Sequence, residues 1–565
     1  MADYFIDANR GNDANSGLSK DAAWKTLEKF RTVASAGGIA AGSNVLLESS
    51  SIFNESRYLR FGTGTSELFN GSAAARTTIG KYDYSSQYSG RPRIQWVVTP
   101  SASDWVFDAT FGLWYISPVV QYGNNNQQWG GHPRVTINGR LCTVVRYQSS
   151  SFTRGPLPSA DYEVFSYEAS QPGRLYVYSP AGVNPSDYYG AGAIKASSSS
   201  QGVFAFNRCG SYITIRDLEL FEAGKLASIF SDSTSLGDVA GFRLVGVSGN
   251  GVGVLAGFTA TASNRLITGL EISRCVVQDA AGYGFHINGS FRDVRVQGNR
   301  HVRGNLARTD GGGIYIQGVA SGVMESVLVS DNYFERMSAN SKGSESDGCA
   351  VYCEVRATGV TVARNLVRDS YMAFQDNSGA NNLWASNVAA NCDTLIKVSD
   401  ADNLAQPGKT TRIINNTALL RGSFWQTYGP TDAGVKLMKG PSVSASNYTY
   451  EVRNNALLLD KADPSRADSA AVQDEAGTTL LQSNNAISGW DKQRTRVGLT
   501  TELGLPGVVT GSLLLDPTTY RPLAGSPLIG AGLNVGPLLD KSGKRFARRP
   551  TIGAYEAIQF RQARV

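Results

Sequence analysis

Cysteine is scarce in this chain of 565 residues, and its six copies (Cys142, Cys209, Cys275, Cys349, Cys353, Cys392) fall at no metal-ligand or disulfide-framework spacing. A disulfide scaffold and a structural zinc site are therefore both excluded as the organising device, and buried apolar roles are expected for most of the six. No apolar run approaches the length of a membrane span, and the start, Met1-Ala2-Asp3-Tyr4-Phe5, reads as a strand with no basic and apolar leader before it. The expectation is a protein without a cleaved signal, or a mature form carrying an added Met. Charge is modest, at 18% Asp, Glu, Lys and Arg, with 53 basic against 47 acidic residues and a net charge of +6. The basic residues are scattered, which argues against nucleic acid as a partner, while a mildly basic surface suits an anionic polymer.

What the chain does have is repetition. Between Ile215 and Asn485 an apolar-alternating run ends at a small or amide residue and turns, as in Ile272-Ser273-Arg274-Cys275, Val329-Ser330-Asp331-Asn332 and Trp384-Ala385-Ser386-Asn387. Counted through Leu218, Val247, Cys275, Asn299, Asn332, Asn365, Asn387, Asn416, Asn455 and Asn485, the intervals are 29, 28, 24, 33, 33, 22, 29, 39 and 30 residues. That is a solenoid period. The runs alternate with period 2 rather than 3.6, so the repeat is made of strands. One repeat is too small to bury its own apolar face, and stacking satisfies backbone groups at about 4.8 Å per layer. The predicted fold is an all-β parallel β-helix. The recurring Asn reads as a structural ladder beginning near Asn299, each amide donating to one layer and accepting from the other.

Four segments follow along the chain. Residues 1–100 read as an N-terminal cap and first coils, with an amphipathic helix over Trp24 to Thr32 and strands at Asn44 to Glu48, Thr77 to Lys81 and Arg93 to Val97. Residues 101–190 lose the repeat, are rich in aromatics and contain a hairpin signal at Asn138-Gly139, which predicts a small antiparallel β insertion whose aromatics mainly fill its own core. Residues 191–490 carry the main coils, with Asp460 to Thr479 as a polar surface excursion, and 491–565 form a C-terminal cap.

The two ends carry a resemblance. Tyr4-Phe5-Ile6-Asp7-Ala8, Asn12-Asp13-Ala14-Asn15-Ser16-Gly17 and Ala23-Trp24-Lys25-Thr26-Leu27, with Ser526-Pro527-Leu528-Ile529-Gly530 and Ile552-Gly553-Ala554-Tyr555-Glu556 at the far end, resemble the pectate-lyase-like right-handed parallel β-helix superfamily. That superfamily includes polysaccharide lyases, glycoside hydrolases, epimerases and phage tailspike depolymerases. The resemblance implies a right-handed β-helix and a polysaccharide partner; no cofactor and no membrane partner are expected. Its tailspike branch implies a homotrimer and a virion-associated or extracellular setting. The Lys and Arg signatures of alginate and chondroitin lyases are not found.

Three consecutive coils carry related segments: Asp310-Gly311-Gly312-Gly313-Ile314-Tyr315-Ile316-Gln317, Asp347-Gly348-Cys349-Ala350-Val351-Tyr352-Cys353-Glu354 and Tyr371-Met372-Ala373-Phe374-Gln375-Asp376. With Ile314 and Ile316 inward, pleating sends Tyr315, Gln317, Tyr352 and Glu354 outward, predicting an exposed face of aromatics and acids. The third segment fits two phases. One puts Phe374 and Asp376 outward beside Tyr352 and Glu354; the other buries Phe374 and presents Gln375. The first is preferred, because a buried unpaired Asp is costly. Carboxylates on neighbouring coils could lie within the roughly 5 to 10 Å over which a pair cleaves a glycosidic bond, so Glu354, Asp376, Asp347 and Asp310 are the candidate catalytic acids, with Glu345 on a nearby loop. Asp-Gly is also an ordinary turn, which is the structural reading of Asp310 and Asp347. Tyr315, Tyr352, His286 and Lys397 are the candidate substrate-binding residues, with Trp384 and Trp425 as further stacking surfaces. The predicted function is polysaccharide cleavage, hydrolysis being favoured over β-elimination on the acid cluster. Elimination would need a base such as His286, Lys397 or a Tyr with Arg356, Arg368 or Lys397 to neutralise a uronate. A non-catalytic glycan-binding spike would use the same face without a proton donor.

Overall fold

The computed structural model describes residues 1–55, 59–61, 69–85, 90–117, 134–148, 153–167, 174–197, 202–207, 209–230, 238–260, 265–304, 306, 312–319, 322–337, 348–354, 356–377, 381–399, 410–421, 434–438, 449–459, 470–474, 479–490, 492–496, 499–502, 507–536 and 538–557. Among these, three long sheets of 15, 13 and 13 strands run the length of the molecule, paired in parallel except for the last pair of the third sheet. Each coil gives one strand to each sheet in turn, as Val360–Ala363, Leu366–Arg368 and Met372–Asp376 do, followed a coil later by Leu383–Ala385, Val388–Cys392 and Thr394–Val398. This is the parallel β-helix expected from the repeat, of the right-handed kind that the resemblance implies. No described helix is long and apolar enough to cross a membrane.

The corner between the first and second sheets explains the period-marking residues. The residue before each ladder position is left-handed: Asp217, Gly246, Arg274, Gly298, Asp331, Arg364, Ser386, Asn415, Asn454 and Asn484 all have φ between 52° and 66°. One such residue turns the chain through the corner and drops the next side chain inward. From Asn299 to Asn485 that side chain is Asn, and the ladder is unbroken: Asn299 Nδ2 donates to Asn332 Oδ1 at 2.9 Å, and the same bond recurs at each rung to Asn455 and Asn485 at 3.1 Å. Leu218, Val247 and Cys275 occupy the position apolarly in the coils before. All six cysteines are buried.

The helix at the N-terminal end spans Leu27–Ser35 rather than starting at Trp24. Thr26 is its N-cap, accepting from Lys29 N, and Asp13 holds Thr26 in turn; Trp24 instead bridges to Ile6. Leu27, Phe30 and Ala34 are buried, and Phe30 packs on Phe61 and Phe69 over the first coils. The inserted module holds a hairpin of Arg134–Ile137 and Arg140–Leu141, with Asn138 and Gly139 both at positive φ, and its aromatics Phe165, Tyr176, Phe111, Tyr115 and Tyr167 pack on one another. One pair there, Thr143–Gln148 with Glu163–Tyr167, is parallel, so the module is not wholly antiparallel as expected. The segment read as a polar excursion supplies a strand, Ala470–Asp474, to the third sheet.

The tail folds back along the first corner. Asn484 Nδ2 reaches Ala531 O, Asn454 Nδ2 reaches Leu533 O, Arg412 reaches Val535 O and Ser386 Oγ reaches Leu539 O, so Ala531, Leu533, Val535 and Leu539 step from late coils to earlier ones. The Ile552-Gly553-Ala554 motif docks there too. Gly553 sits at φ 102° with its N–H on Asn454 O, and a Cβ would stand 2.7 Å from Thr417 Oγ1, so only glycine fits.

Candidate active site

The third sheet carries the candidate residues. Strand alternation and register stack His286, Tyr315, Tyr352, Gln375, Lys397 and Lys436 in one outward column. Beside it stand Asn288, Gln317 and Glu354. Asn377 and Ser399, one residue past the next two strands' paired positions, continue that second column. The sequence-predicted outward placement of Tyr315, Tyr352, His286 and Glu354 is what the register produces, and the same register sets Lys397 outward.

Their surroundings differ from the expectation of an open face. Tyr315 and Tyr352 are only 8% and 4% exposed, gathered with Tyr283, Tyr371, Cys349 and Met372 in an apolar cluster on the outer side of the sheet. His286 lies edge-on to Tyr315 with centroids 4.7 Å apart, and Tyr315 meets Tyr352 edge-on at 5.4 Å. The tyrosines therefore offer hydroxyls rather than open ring faces. Tyr315 donates its hydroxyl to Glu354 Oε2, which fixes the partly exposed carboxylate over the column. Asn377 Nδ2 donates to the Tyr352 hydroxyl at 2.6 Å and its Oδ1 accepts from Gln375 Nε2 at 3.2 Å and from Ser399 Oγ. Gln375 Oε1 and Asn288 Oδ1 are buried acceptors with no hydrogen-bond partner among the described residues.

Asp376 is a correction. It points inward with Phe374, fully buried, and accepts from Asn382 Nδ2 at 2.9 Å and Trp384 Nε1 at 3.0 Å. The cost of burying a carboxylate, which favoured the other phase, is offset by these two donors. Gln375 takes the outward position instead. Trp384 is likewise core, packed on Phe374, and is no sugar platform. Arg368 stands on the second sheet beside Tyr333 and Glu335, away from the column. Asp310, Asp347, Glu345 and Trp425 lie outside the described residues. Among the described residues no three His, Cys, Asp or Glu side chains gather as a metal site.

One residue was not foreseen. Lys225 precedes the strand Ala227–Phe230, and its Nζ lies 3.0 Å from where a Cβ of Gly257 would be. Gly257 pairs with His286, so the ammonium fills a vacancy in the same outward column, one coil before the histidine. Burial pulls its pKa down to about 8.

The class defined here is a parallel β-helix with one polar, amine-bearing column on a sheet face. No family model matches the chain. A stretch of 91 residues, 16% of the chain, is 36% identical to part of a lacto-N-biosidase of Bifidobacterium longum subsp. longum, and it spans 5% of that protein's length. Among solved structures, a complex of XylC with xylose shares 10% identity over 90% of this chain and 86% of that one, with a TM-score of 0.47. A GH136 lacto-N-biosidase from Eubacterium ramulus shares 12% over 90% and 68%, at 0.44, and pectate lyase Pel9A shares 13% over 98% and 96%, at 0.38.

Proposed function

We propose that the chain is a glycan-degrading enzyme whose polymer substrate lies along the outer columns of the third sheet. The observation that carries this reading is the pair of columns: a carboxylate held by a tyrosine hydroxyl, amines at both ends, and buried amide oxygens in between that have no donor among the described residues. Sugar hydroxyls are the donors such acceptors call for, and a repeating polymer matches a site repeated at strand spacing. The local likeness to a lacto-N-biosidase supports a carbohydrate substrate.

Hydrolysis is the leading chemistry. Glu354 acts as one carboxylate, general acid or base, and Asp310 or Asp347, which lead into the strands of Tyr315 and Tyr352, supplies the second. Asp376 has no part in it. Elimination from a uronate is the second reading, favoured by one observation: the described parts of the two columns hold three amines, Lys225, Lys397 and Lys436, against one carboxylate, Glu354. The substrate class is a bacterial capsular or exopolysaccharide, met outside the cell or by a virion; a tailspike role would make the protein a homotrimer in light scattering.

The test is digestion of a polysaccharide panel, read by product size and by ultraviolet absorbance. Hydrolysis shortens the polymer without an absorbance rise, and Glu354→Gln lowers turnover by about a hundredfold or more. A rising absorbance transfers the assignment to the lyase reading. Binding with no change in polymer size, unaltered by Glu354→Gln, overturns both and leaves a glycan-binding spike.

A further inference from the structure

The first corner of the solenoid is covered unevenly. From Ser386 to Asn484 the left-handed positions are roofed by the chain's own tail, and Lys541 sits beside Asp331 and Arg364. Earlier, at Asp217, Gly246 and Arg274, there is instead a concavity of about 530 Å³ lined by Arg91, Arg216, Arg243 and Arg274, with Asp217 and Glu271. A fifth guanidinium, Arg76, donates to Gly241 O next to it and approaches Thr214 on its wall at 3.4 Å. Arg243 and Glu271 pair at 3.1 Å and Arg216 reaches Asp217 at 4.0 Å, so two acids face five arginines. The positive excess is felt locally: burial and the charge of Arg243 together pull the Arg76 pKa down.

The opening has a cause in the sequence. Gly246 holds the corner position between Asp217 and Arg274, and a Cβ there would meet nothing but Asp217 Oδ1, at 3.0 Å. Where neighbouring coils put Asp or Arg, this coil leaves a gap, and the guanidiniums border it. Planar guanidiniums grouped around a gap suit bidentate recognition of an oxyanion. The concavity belongs to the first sheet, whereas the column of His286 to Lys436 belongs to the third.

We propose that this concavity is a second ligand site, taking the carboxylate or sulfate of an acidic sugar unit. The oxyanion follows from the arginines alone; naming a sugar rests on the glycan reading above. The site is tested by titrating the full chain with a glucuronate-bearing disaccharide, a sulfated disaccharide and a neutral disaccharide, for the parent, Gly246→Asp and Arg274→Gln. Asp already occupies the equivalent position at Asp217 and Asp331, both left-handed, so Gly246→Asp retains the fold while filling the gap with negative charge. The expected result is that one acidic disaccharide binds about tenfold or more tighter than the neutral one, that both substitutions abolish the difference, and that a twofold rise in salt weakens it. Equal binding of acidic and neutral sugars, no binding of either, or acidic binding untouched by Arg274→Gln overturns the proposal. Glu354→Gln is expected to leave this binding intact, so loss of turnover and loss of this site report separately.

Discussion

At the scale of single residues, two carboxylates 22 positions apart separate chemistry from structure. Glu354 faces out under the Tyr315 hydroxyl, whereas Asp376 faces in and satisfies Asn382 and Trp384. Asp376→Asn presents an amide to at least one of two buried donors and is expected to cost on the order of 1–3 kcal/mol in denaturant unfolding, while Glu354→Gln leaves the unfolding midpoint nearly unchanged and removes turnover. The outward set from Tyr315 to Glu354 could be read from alternation alone, since Ile314, Ile316, Val351 and Cys353 mark the inner face. Asp376 could not, because its partners come from residues six and eight further on, at the start of the next coil. Lys225 was equally hidden: it reaches its position by lying over Gly257 rather than by register. Its lowered pKa has a sign. Between about pH 8 and its ordinary 10.5 the unfolded chain binds a proton that the folded one has released, so stability rises with pH through that window. Lys225→Met is expected to flatten that rise, measured as the difference in unfolding free energy between parent and variant at pH 7.5 and pH 10.

At the scale of elements, the corner does more to fix the fold than any one strand. Asn387 accepts from the Asn365 backbone N–H and Nδ2 and donates to Val362 O and Asn416 Oδ1, four bonds inside a dry corner. Asn387→Leu strips these from both neighbouring coils and is expected to cost about 2–5 kcal/mol. Asn299→Leu, at the ladder's first rung against Cys275, is expected to cost less, since Cys275 offers no side-chain amide to lose. The ladder was legible because it recurs at a fixed place in each repeat. The second aromatic stack was not. His301 is buried flat on Phe334 at 4.9 Å and edge-on to Phe285, with Gly284 leaving room for its ring and both ring nitrogens without partners among the described residues. Burial pushes its pKa to about 3, so as pH falls from its ordinary 6.5 toward 3 the unfolded chain takes up a proton that the folded one refuses, and stability is lost. His301→Phe keeps the stack, removes two orphaned nitrogens and is expected to make the protein more resistant to acid over that window, read as unfolding midpoints at pH 4 and pH 7.

At the scale of the whole molecule, a solenoid has a weakness that the tail answers. Each coil touches only its neighbours, so stability is close to a sum of local terms and the ends can peel. The sequence placed 491–565 at the far end as a cap, whereas the described tail contacts coils well back from that end. Leu528 and Ile552 pack with Ala456 and Ala486; Tyr520 and Ala554 pack with Val388 and Ala390; Arg412, Ser386 and Asn454 bond its backbone. These contacts link coils that do not touch each other directly, and they bury an apolar strip that the second sheet would otherwise expose. Removing residues 513–565 is therefore expected to do more than lower the midpoint. The last coils should unfold ahead of the first, turning one cooperative transition into two, with hydrogen exchange fast at Asn455 and Asn485 while Ile215 and Leu244 remain protected. A truncated chain that still melts in one step would show that the ladder and core alone couple the coils, and that the tail is only a cover.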